Sequence, residues 1–341
     1  MSEKVVIIAE AGVNHNGDLE KALALVNVAA NAGADYVKFQ TFKAEKIVNP
    51  FAQKADYQKN NMLGEEDTQF GMLKKLEIGE DWYPILIQRC QEKGIHFLST
   101  GFDLDSIDFL NDLDIPFFKI PSGEITNKPY LRQIARKGKE IILSTGMANL
   151  QEVKDALGVI ESEGITRDMV TILHCNTEYP TPMQDVNLFA MHHIAKELQV
   201  KIGYSDHTLG IEVPIAAVAL GAVVIEKHFT IDRTLPGPDH AASIEPEELK
   251  AMVCAIRNIE LAIAGSGIKE PSESEKKNIS VARKSLHTKH NLTKGHVVTT
   301  EDIIALRPAN GISPMDIDLV LGKVLAEDIQ AGSILKWNQL V

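Results

Sequence analysis

Residues 202–210 read Ile-Gly-Tyr-Ser-Asp-His-Thr-Leu-Gly, and residues 223–229 read Val-Val-Ile-Glu-Lys-His-Phe. Each apolar run ends in a polar cluster, which is Ser205-Asp206-His207 in the first run and Glu226-Lys227-His228 in the second. The segment between the two runs has the length of a helix. This order is typical of a βαβ unit, whose two strands run parallel. Parallel strands end on the same side, so we expect the two polar clusters to meet.

The two histidines of these clusters make a candidate metal site. His207 and His228 end neighbouring strands in the predicted unit. Neutral imidazole nitrogens bind Mn²⁺, Fe²⁺, Co²⁺ and Zn²⁺. The alternative is that the two histidines are unrelated and that each is hydrogen-bonded near its own loop.

The alternation of strand and helix recurs along most of the chain. Eight such repeats occupy roughly 260 residues, which is the length of a (β/α)₈ barrel. An open doubly wound sheet is the alternative architecture. It would usually have fewer strands and a G-x-G-x-x-G first turn, which Gly12 and Gly17 do not form.

The pattern changes after Gly267. We expect residues 1–267 to form the barrel, the charged and Ser-rich residues 268–281 to form a linker, and residues 282–341 to form a small β-rich domain. Residues 41–79 are polar and too long for a simple connection, so we predict a functional loop or lid there.

Composition excludes some classes of partner. The chain has 341 residues and a net charge of −12, which argues against nucleic acid or an anionic membrane as partner. Its three cysteines are scattered and no apolar run reaches membrane-spanning length. These features predict a soluble cytoplasmic protein.

Polar side chains end every predicted strand. In a barrel all eight carboxyl ends surround one mouth. Lysines and hydroxyl groups beside Gly-rich turns suit a phosphate, whereas carboxylates and imidazoles suit a metal and proton transfer. One such residue alone is more often a strand end that meets solvent, but the whole set predicts a site. Its members are Glu10, Lys38, Gln40, Thr100, Lys119, Ser122, Glu124, Ser144, Thr177, Tyr179, Ser205, His207, Glu226 and His228.

Several of these residues lie in motifs that resemble one family, the sialic acid synthases, which include N-acetylneuraminate synthase and the related legionaminic and pseudaminic acid synthases. The motifs occur in the family's order along the whole chain. They include Glu10-Ala-Gly-Val-Asn-His-Asn-Gly, Phe118-Lys-Ile-Pro-Ser-Gly-Glu, Gly203-Tyr-Ser-Asp-His-Thr, Glu226-Lys-His-Phe-Thr and Arg307-Pro-Ala-Asn-Gly. The tail resembles the family's antifreeze-protein-like (SAF) domain.

The resemblance implies an enzyme that condenses phosphoenolpyruvate with N-acetylmannosamine or a related acetamido sugar and water. The products would be a nine-carbon 2-keto acid sugar and phosphate. A 6-deoxy-2,4-diacetamido hexose, the precursor of legionaminic or pseudaminic acid, is the alternative acceptor. The resemblance also implies a divalent metal on His207 and His228, Mn²⁺ first and Mg²⁺ or Co²⁺ as alternatives.

The remaining residue roles are likewise implied by the resemblance. Glu10 and Glu124 would assist proton transfer, and the two histidines would act in catalysis through the metal. Phosphoenolpyruvate would contact Lys38, Lys119, Thr100, Ser122, Ser144, Thr177 and Ser205. The sugar would contact Gln40, Tyr179 and Asp239, and also Arg307 from the partner chain of a domain-swapped homodimer.

Two other functions compete with this interpretation. Lys38 or Lys119 would be the Schiff-base residue of a metal-independent aldolase. A non-catalytic glycan-binding protein would account for the tail, but not for the lysines and histidines at one barrel mouth.

Overall fold

A computed structural model describes residues 4–49, 52 and 68–341. Eight parallel strands form one sheet, in which they follow one another in the order third, second, first, eighth, seventh, sixth, fifth and fourth along the chain. The first strand pairs with both the second and the last, through Ile8 with Tyr36 and Ile8 with Glu226. The third and fourth strands, at the two ends of this order, also lie side by side. The (β/α)₈ barrel is therefore confirmed, and the open doubly wound sheet is wrong.

Each strand is followed by a helix that covers its outer face. The strands are β1 Val6–Gly12, β2 Tyr36–Thr41, β3 His96–Gly101, β4 Phe117–Ile120, β5 Glu140–Ser144, β6 Val170–Cys175, β7 Lys201–Asp206 and β8 Val224–His228. The helices that follow them are Leu19–Ala32, Trp82–Lys93, Leu104–Asp112, Lys128–Ala135, Leu150–Ser162, Ala190–Leu198, Glu212–Ala219 and Pro246–Ile263.

Short polar signals set the ends of these helices. The Asp18 side chain accepts hydrogen bonds from the backbone N–H groups of Glu20 and Lys21, which begins the first helix. Gly33 ends that helix in the left-handed region, with φ of 82°. Asn149 and Glu152 form a reciprocal capping box, as their spacing predicts. The apolar faces of the helices pack on the strands and form one continuous core.

The predicted functional loop at residues 41–79 lies partly outside the described residues, which omit 50–51 and 53–67. The described part contains two short helices, Ala44–Ile47 and Gln69–Leu76. Met72 and Leu76 of the second helix form a small apolar cluster with Val13 and Phe42. This cluster is separate from the barrel core.

The chain divides into two compact units, Met1–Gly265 and Ser266–Val341. Within the second unit, the helix Glu273–Ala282 occupies most of the segment that the sequence assigns to a linker. Ser272 and Glu275 form a capping box that begins this helix. The rest is β-rich, with β9 Ser285–Thr288 antiparallel to β10 Ile303–Leu306 over a small apolar core of its own. No helix among the described residues is long and apolar enough to cross a membrane.

Candidate active site

The carboxyl ends of the strands surround a cavity of about 260 Å³. Most of the residues that the sequence predicts for a site line this cavity. They are Glu10, Lys38, Gln40, Thr100, Lys119, Ser122, Ser144, Thr177, Tyr179, Ser205, His207, Glu226, His228 and Asp239. The strand geometry explains why, because alternate residues of a strand point to the same face. Glu226 and His228 line the cavity, and Lys227 between them does not.

Two lysines and two carboxylates meet at the floor of the cavity. The Lys38 Nζ lies 2.8 Å from Glu10 Oε2 and 3.4 Å from Glu226 Oε2, and it donates a 3.0 Å hydrogen bond to Thr100 Oγ1. The Lys119 Nζ lies 3.3 Å from the other oxygen of Glu226. All four charged side chains are almost fully buried. Because opposite charges are close in a dry site, they stabilise one another strongly.

Burial and neighbouring charges shift the pKa values of the two carboxyl groups in opposite directions. Burial raises the pKa of Glu10 to about 7, although Lys38 opposes the shift. Burial also disfavours ionised Glu226, but Lys119 and Lys38 outweigh it and lower the pKa of Glu226 to about 2. One carboxyl group therefore stays ionised while the other exchanges a proton near neutral pH.

The two histidines lie together above this charged floor. Their ring centroids are 5.5 Å apart, and Tyr179 stacks on His207 with a centroid distance of 4.1 Å. Burial lowers the pKa of His207 to about 4 and the pKa of His228 well below its usual value. Both imidazoles are therefore neutral, which is the form that binds a metal.

The tautomer of His207 follows from one hydrogen bond. Its Nδ1 contacts the carbonyl oxygen of Asn176, and a carbonyl oxygen only accepts, so Nδ1 carries the hydrogen. The Nε2 atom of His207 therefore carries no hydrogen, and its lone pair is available to a ligand. The Nδ1 of His228 is buried without a hydrogen-bond partner and lies 3.9 Å from Asp239 Oδ2. Over the described part of the chain no three His, Cys, Asp or Glu side chains cluster as metal ligands.

Small polar residues line another side of the cavity. The Ser144 Oγ is buried and has no hydrogen-bond partner. The Gly146 N–H donates a 2.9 Å hydrogen bond to Ser122 Oγ. A Cβ at Gly146 would lie 2.4 Å from Thr177 Cγ2 and 2.9 Å from that hydroxyl, so only glycine leaves this side open. The unpaired hydroxyl and the nearby lysines suit a small anion.

The mouth of the cavity also has an apolar wall, which we define as Val13, Met72, Leu73, Leu76 and Phe102. Met72, Leu76 and Val13 are buried, whereas Leu73 and Phe102 are half-buried. The sequence gives little sign of this wall, because its helix lies in a stretch without clear periodicity.

Comparison with known proteins agrees with this architecture. The profile of the NeuB family matches residues 25–269, and that of the SAF domain matches residues 283–341. The chain belongs to the NeuB family. The resemblance to the sialic acid synthases that the motifs indicate is therefore confirmed, including the C-terminal SAF domain.

The family relatives match over nearly their whole length. The chain is 50% identical to N,N'-diacetyllegionaminic acid synthase of Campylobacter jejuni subsp. jejuni over 98% of this chain and 99% of the relative. It is also 50% identical to the enzyme of the same name from Legionella pneumophila, over 98% and 94%. A solved structure of N-acetylneuraminic acid (sialic acid) synthetase from Leptospira borgpetersenii, in complex with citrate, is 36% identical with a TM-score of 0.70, over 81% and 90% of the two chains.

The structure does not place the predicted site residue Glu124 at the cavity. Glu124 lies in the short turn Ser122–Glu124, where successive residues point in different directions, and its carboxylate accepts a 2.6 Å hydrogen bond from Asn127. It is absent from the cavity lining, whereas Ser122 belongs to it. Arg307, which the resemblance assigns to the partner chain's cavity, is an exposed residue of the second unit.

Glu226 lines the cavity, but the resemblance to the family assigns it no role. Its two oxygens contact both lysines, and it accepts a 3.0 Å hydrogen bond from Ser205 Oγ. The sequence places Glu226 at a strand end, but the convergence of both lysines on it needs the closed barrel. Cys175 also lines the cavity, and burial raises its thiol pKa, so it is a neutral packing residue there.

We expect anion binding to be coupled to proton uptake by Glu10. An anion beside Lys38 adds negative charge near a carboxyl group whose pKa is already about 7, so that pKa rises further. At pH 8 the Glu10 carboxyl is mostly ionised before binding, so it should take up a fraction of a proton, at most about 0.9, when sulfate binds. Calorimetric titration with sulfate in buffers of different ionisation enthalpy measures this uptake.

Glu10→Gln should lose the proton uptake. Glu124→Gln is the matched control, because burial also raises the pKa of Glu124 although it does not line the cavity. It should behave as the unmodified protein does. Equal uptake by the protein and its Glu10→Gln variant would contradict the coupling.

Proposed function

We propose that this chain is a nonulosonate synthase that condenses phosphoenolpyruvate with the aldehyde of an N-acylated amino sugar and with water. The observation that carries the proposal is the pairing, in one cavity, of two buried lysines with two neutral histidines. The lysines suit the anionic substrate, and the histidines suit a metal beside the aldehyde.

The proposed reaction is balanced as follows. A bond forms between C3 of phosphoenolpyruvate and C1 of the sugar, and the bond between C2 and the phosphate oxygen breaks. Water supplies the new oxygen on C2. Of its two protons, one ends on the hydroxyl formed from the aldehyde and the other on the released phosphate.

In this proposal the residues of the charged floor bind phosphoenolpyruvate and stabilise charge. Lys38 and Lys119 would neutralise its phosphate and carboxylate, and the unpaired Ser144 hydroxyl would donate to it. Ionised Glu226 would stabilise the positive charge that develops at C2. Glu10, with a pKa of about 7, would accept a proton from the attacking water.

We propose that His207 and His228 hold a divalent metal. Both imidazoles are buried and neutral, and the hydrogen bond of His207 Nδ1 to a backbone carbonyl leaves Nε2 for a ligand bond. Such a hydrogen bond is the usual support of a metal-bound histidine. Mn²⁺, with Mg²⁺ or Co²⁺ as alternatives, would polarise the aldehyde oxygen of the sugar.

We propose a 6-deoxy-2,4-diacetamido hexose as the acceptor, ahead of N-acetylmannosamine. Two relatives that are 50% identical over nearly the whole chain are named N,N'-diacetyllegionaminic acid synthases. The apolar wall favours the same choice, because a methyl group at C6 of the sugar suits it better than a hydroxymethyl group. In this proposal the wall borders the part of the cavity that would hold the sugar, since Val13 follows Gly12, and a Cβ at Gly12 would lie 3.4 Å from Gln40 and His228.

We further propose that the protein works in the cytoplasm as a homodimer, in which the second unit of one chain completes the cavity of the other. The described cysteines are all free, which suits a reducing compartment. Exposed Arg307 would bind the acyl or hydroxyl groups of the sugar in the partner chain.

The lysine assignments predict a selective effect on phosphoenolpyruvate. Lys38→Met or Lys119→Met removes one charge and should raise the KM for phosphoenolpyruvate by about 10- to 100-fold, with a much smaller change for the sugar. Steady-state phosphate release measures both constants. Lys46→Met, which breaks an exposed ion pair with Asp105, is the control. A covalent adduct trapped by borohydride would instead identify a Schiff-base aldolase.

The apolar wall predicts selectivity at C6. The protein should favour the 6-deoxy diacetamido sugar over its 6-hydroxy analogue by about 10- to 100-fold in kcat/KM. Leu73→Gln keeps side-chain size and helix propensity but adds a polar group, so the preference should fall below about threefold. Discrimination at C4, measured with the 4-hydroxy analogue, should not change.

Phe42→Leu is the control for the wall, because Phe42 belongs to the same apolar cluster but does not line the cavity. It should keep the C6 preference. An unchanged preference in Leu73→Gln would show that another part of the protein selects the sugar.

The dimer proposal predicts complementation between two inactive variants. His207→Ala and Arg307→Ala are each expected to be inactive, and mixing them under conditions that exchange subunits should restore activity. Each mixed dimer then has one cavity with neither defect. A mixture that stays inactive, although subunit exchange is verified by native mass spectrometry, means that Arg307 does not act in the partner chain.

A further inference from the structure

A second ion pair lies directly behind the two histidines. Lys227 Nζ contacts Asp206 Oδ2, and the side chains are only 1% and 0% exposed. Asp206 and Lys227 are register partners in the ladder between β7 and β8. Ser205 and Glu226, one position earlier, are also partners and line the cavity. Because side chains alternate along a strand, the ion pair projects to the outer face of the barrel.

This ion pair also closes the turn that contains His207. Lys227 Nζ donates a second hydrogen bond to the carbonyl oxygen of Thr208. Asp206 Oδ1 accepts hydrogen bonds from Thr208 N at 3.0 Å and from Thr208 Oγ1 at 2.8 Å. Asp206 and Thr208, the residues on both sides of His207, therefore both contact the ammonium group of Lys227. Lys227 directly precedes His228 in the chain.

Stability alone is a weak reason for such a pair. Two charges lose their hydration when they are buried, and well-packed apolar residues often stabilise a fold equally well. Neither Lys227 nor Asp206 lines the cavity, so neither contacts a substrate bound there. What the pair does provide is a side-chain link between the turn that contains His207 and the strand that contains His228.

We propose that Lys227 and Asp206 are positioning residues that fix the separation and orientation of His207 and His228 and thereby set the affinity for a divalent metal. The inference rests on the proposed function in one respect, namely that these two histidines hold the metal. It adds residues that do not touch the metal or the substrate. Residues that orient metal ligands typically change metal affinity by about 10- to 100-fold when they are replaced.

The test measures Mn²⁺ binding to the metal-free protein without substrate, from the EPR signal of free Mn²⁺. The double variant Lys227→Gln/Asp206→Asn replaces the ion pair with neutral hydrogen-bonding groups and leaves no single charge buried. Its Kd for Mn²⁺ should rise by about 10- to 100-fold. Thr208→Val, which removes one hydroxyl group from the same turn, should raise the Kd less, and Thr208→Ser should keep it within about twofold of the unmodified protein.

Arg257→Gln is the matched control. Arg257 Nη2 pairs with Asp35 at 2.7 Å, and Asp35 accepts a hydrogen bond from Ile7 N at the amino ends of the strands. This variant should lower the melting temperature without changing the Kd for Mn²⁺. A folded double variant with an unchanged Kd for Mn²⁺ overturns the inference. If the double variant does not fold, an unchanged Kd in Thr208→Val overturns it instead.

Failure of the proposed metal site has a different signature. In that case the unmodified protein binds no Mn²⁺, or its affinity is the same in His207→Ala and His228→Ala, and the inference fails with it. If those two variants lose Mn²⁺ while the double variant keeps it, only the positioning role is wrong.

Discussion

The pairing of the first strand with the last is the constraint on which the rest of this structure depends. The β1–β8 ladder runs from Val6 with Val224 to Glu10 with His228. It joins segments that are more than 200 residues apart in the chain and closes the sheet around its axis. Once the ring is closed, every strand must end at the same mouth. The register then decides which polar residues meet, and Glu10 lies opposite His228 because of it.

Closure of the barrel buries a group of charged side chains, and these side chains shift one another's pKa values. Lys38 lies between Glu10 and Glu226, while Lys119 pairs with Glu226 and donates to the Ile120 carbonyl oxygen. The carboxyl group shared by two lysines has its pKa lowered to about 2, and the one that shares a lysine has its pKa raised to about 7. Two residues of the same type thereby acquire different chemistry from a difference in neighbours. The arrangement separates charge stabilisation from proton exchange within a few ångströms.

The cavity combines chemically different walls because its parts come from different sources. The charged floor and His228 come from barrel strands, where backbone pairing holds each side chain in place, and His207 follows directly after β7. The apolar wall comes from the helix Gln69–Leu76 and from residues that follow β1 and β3. Loops change more readily than strands without loss of the fold. In the proposed reaction, the condensation chemistry would therefore depend on the barrel, and recognition of the sugar's far end would depend on the connections between barrel elements.

The sequence by itself determined the barrel and most of the cavity. Eight apolar runs, each ending in polar residues, require strands whose ends carry the site, and Lys38, Lys119, His207 and His228 can be assigned from that pattern alone. The sequence was a poor guide to Glu124, because the direction of a side chain in a short turn depends on local backbone geometry. It also did not reveal the helix Glu273–Ala282 within a charged segment that resembles a linker.

Only the tertiary structure decided the roles that depend on neighbours. The position of Glu226 between two lysines, the tautomer of His207 and the closure of its turn by Lys227 all arise from contacts between segments distant in the chain. Sequence patterns report which face of a strand a residue occupies, since that follows from a local period. Electrostatic energies depend instead on distances of a few ångströms between such segments, and those distances exist only after the ring has closed.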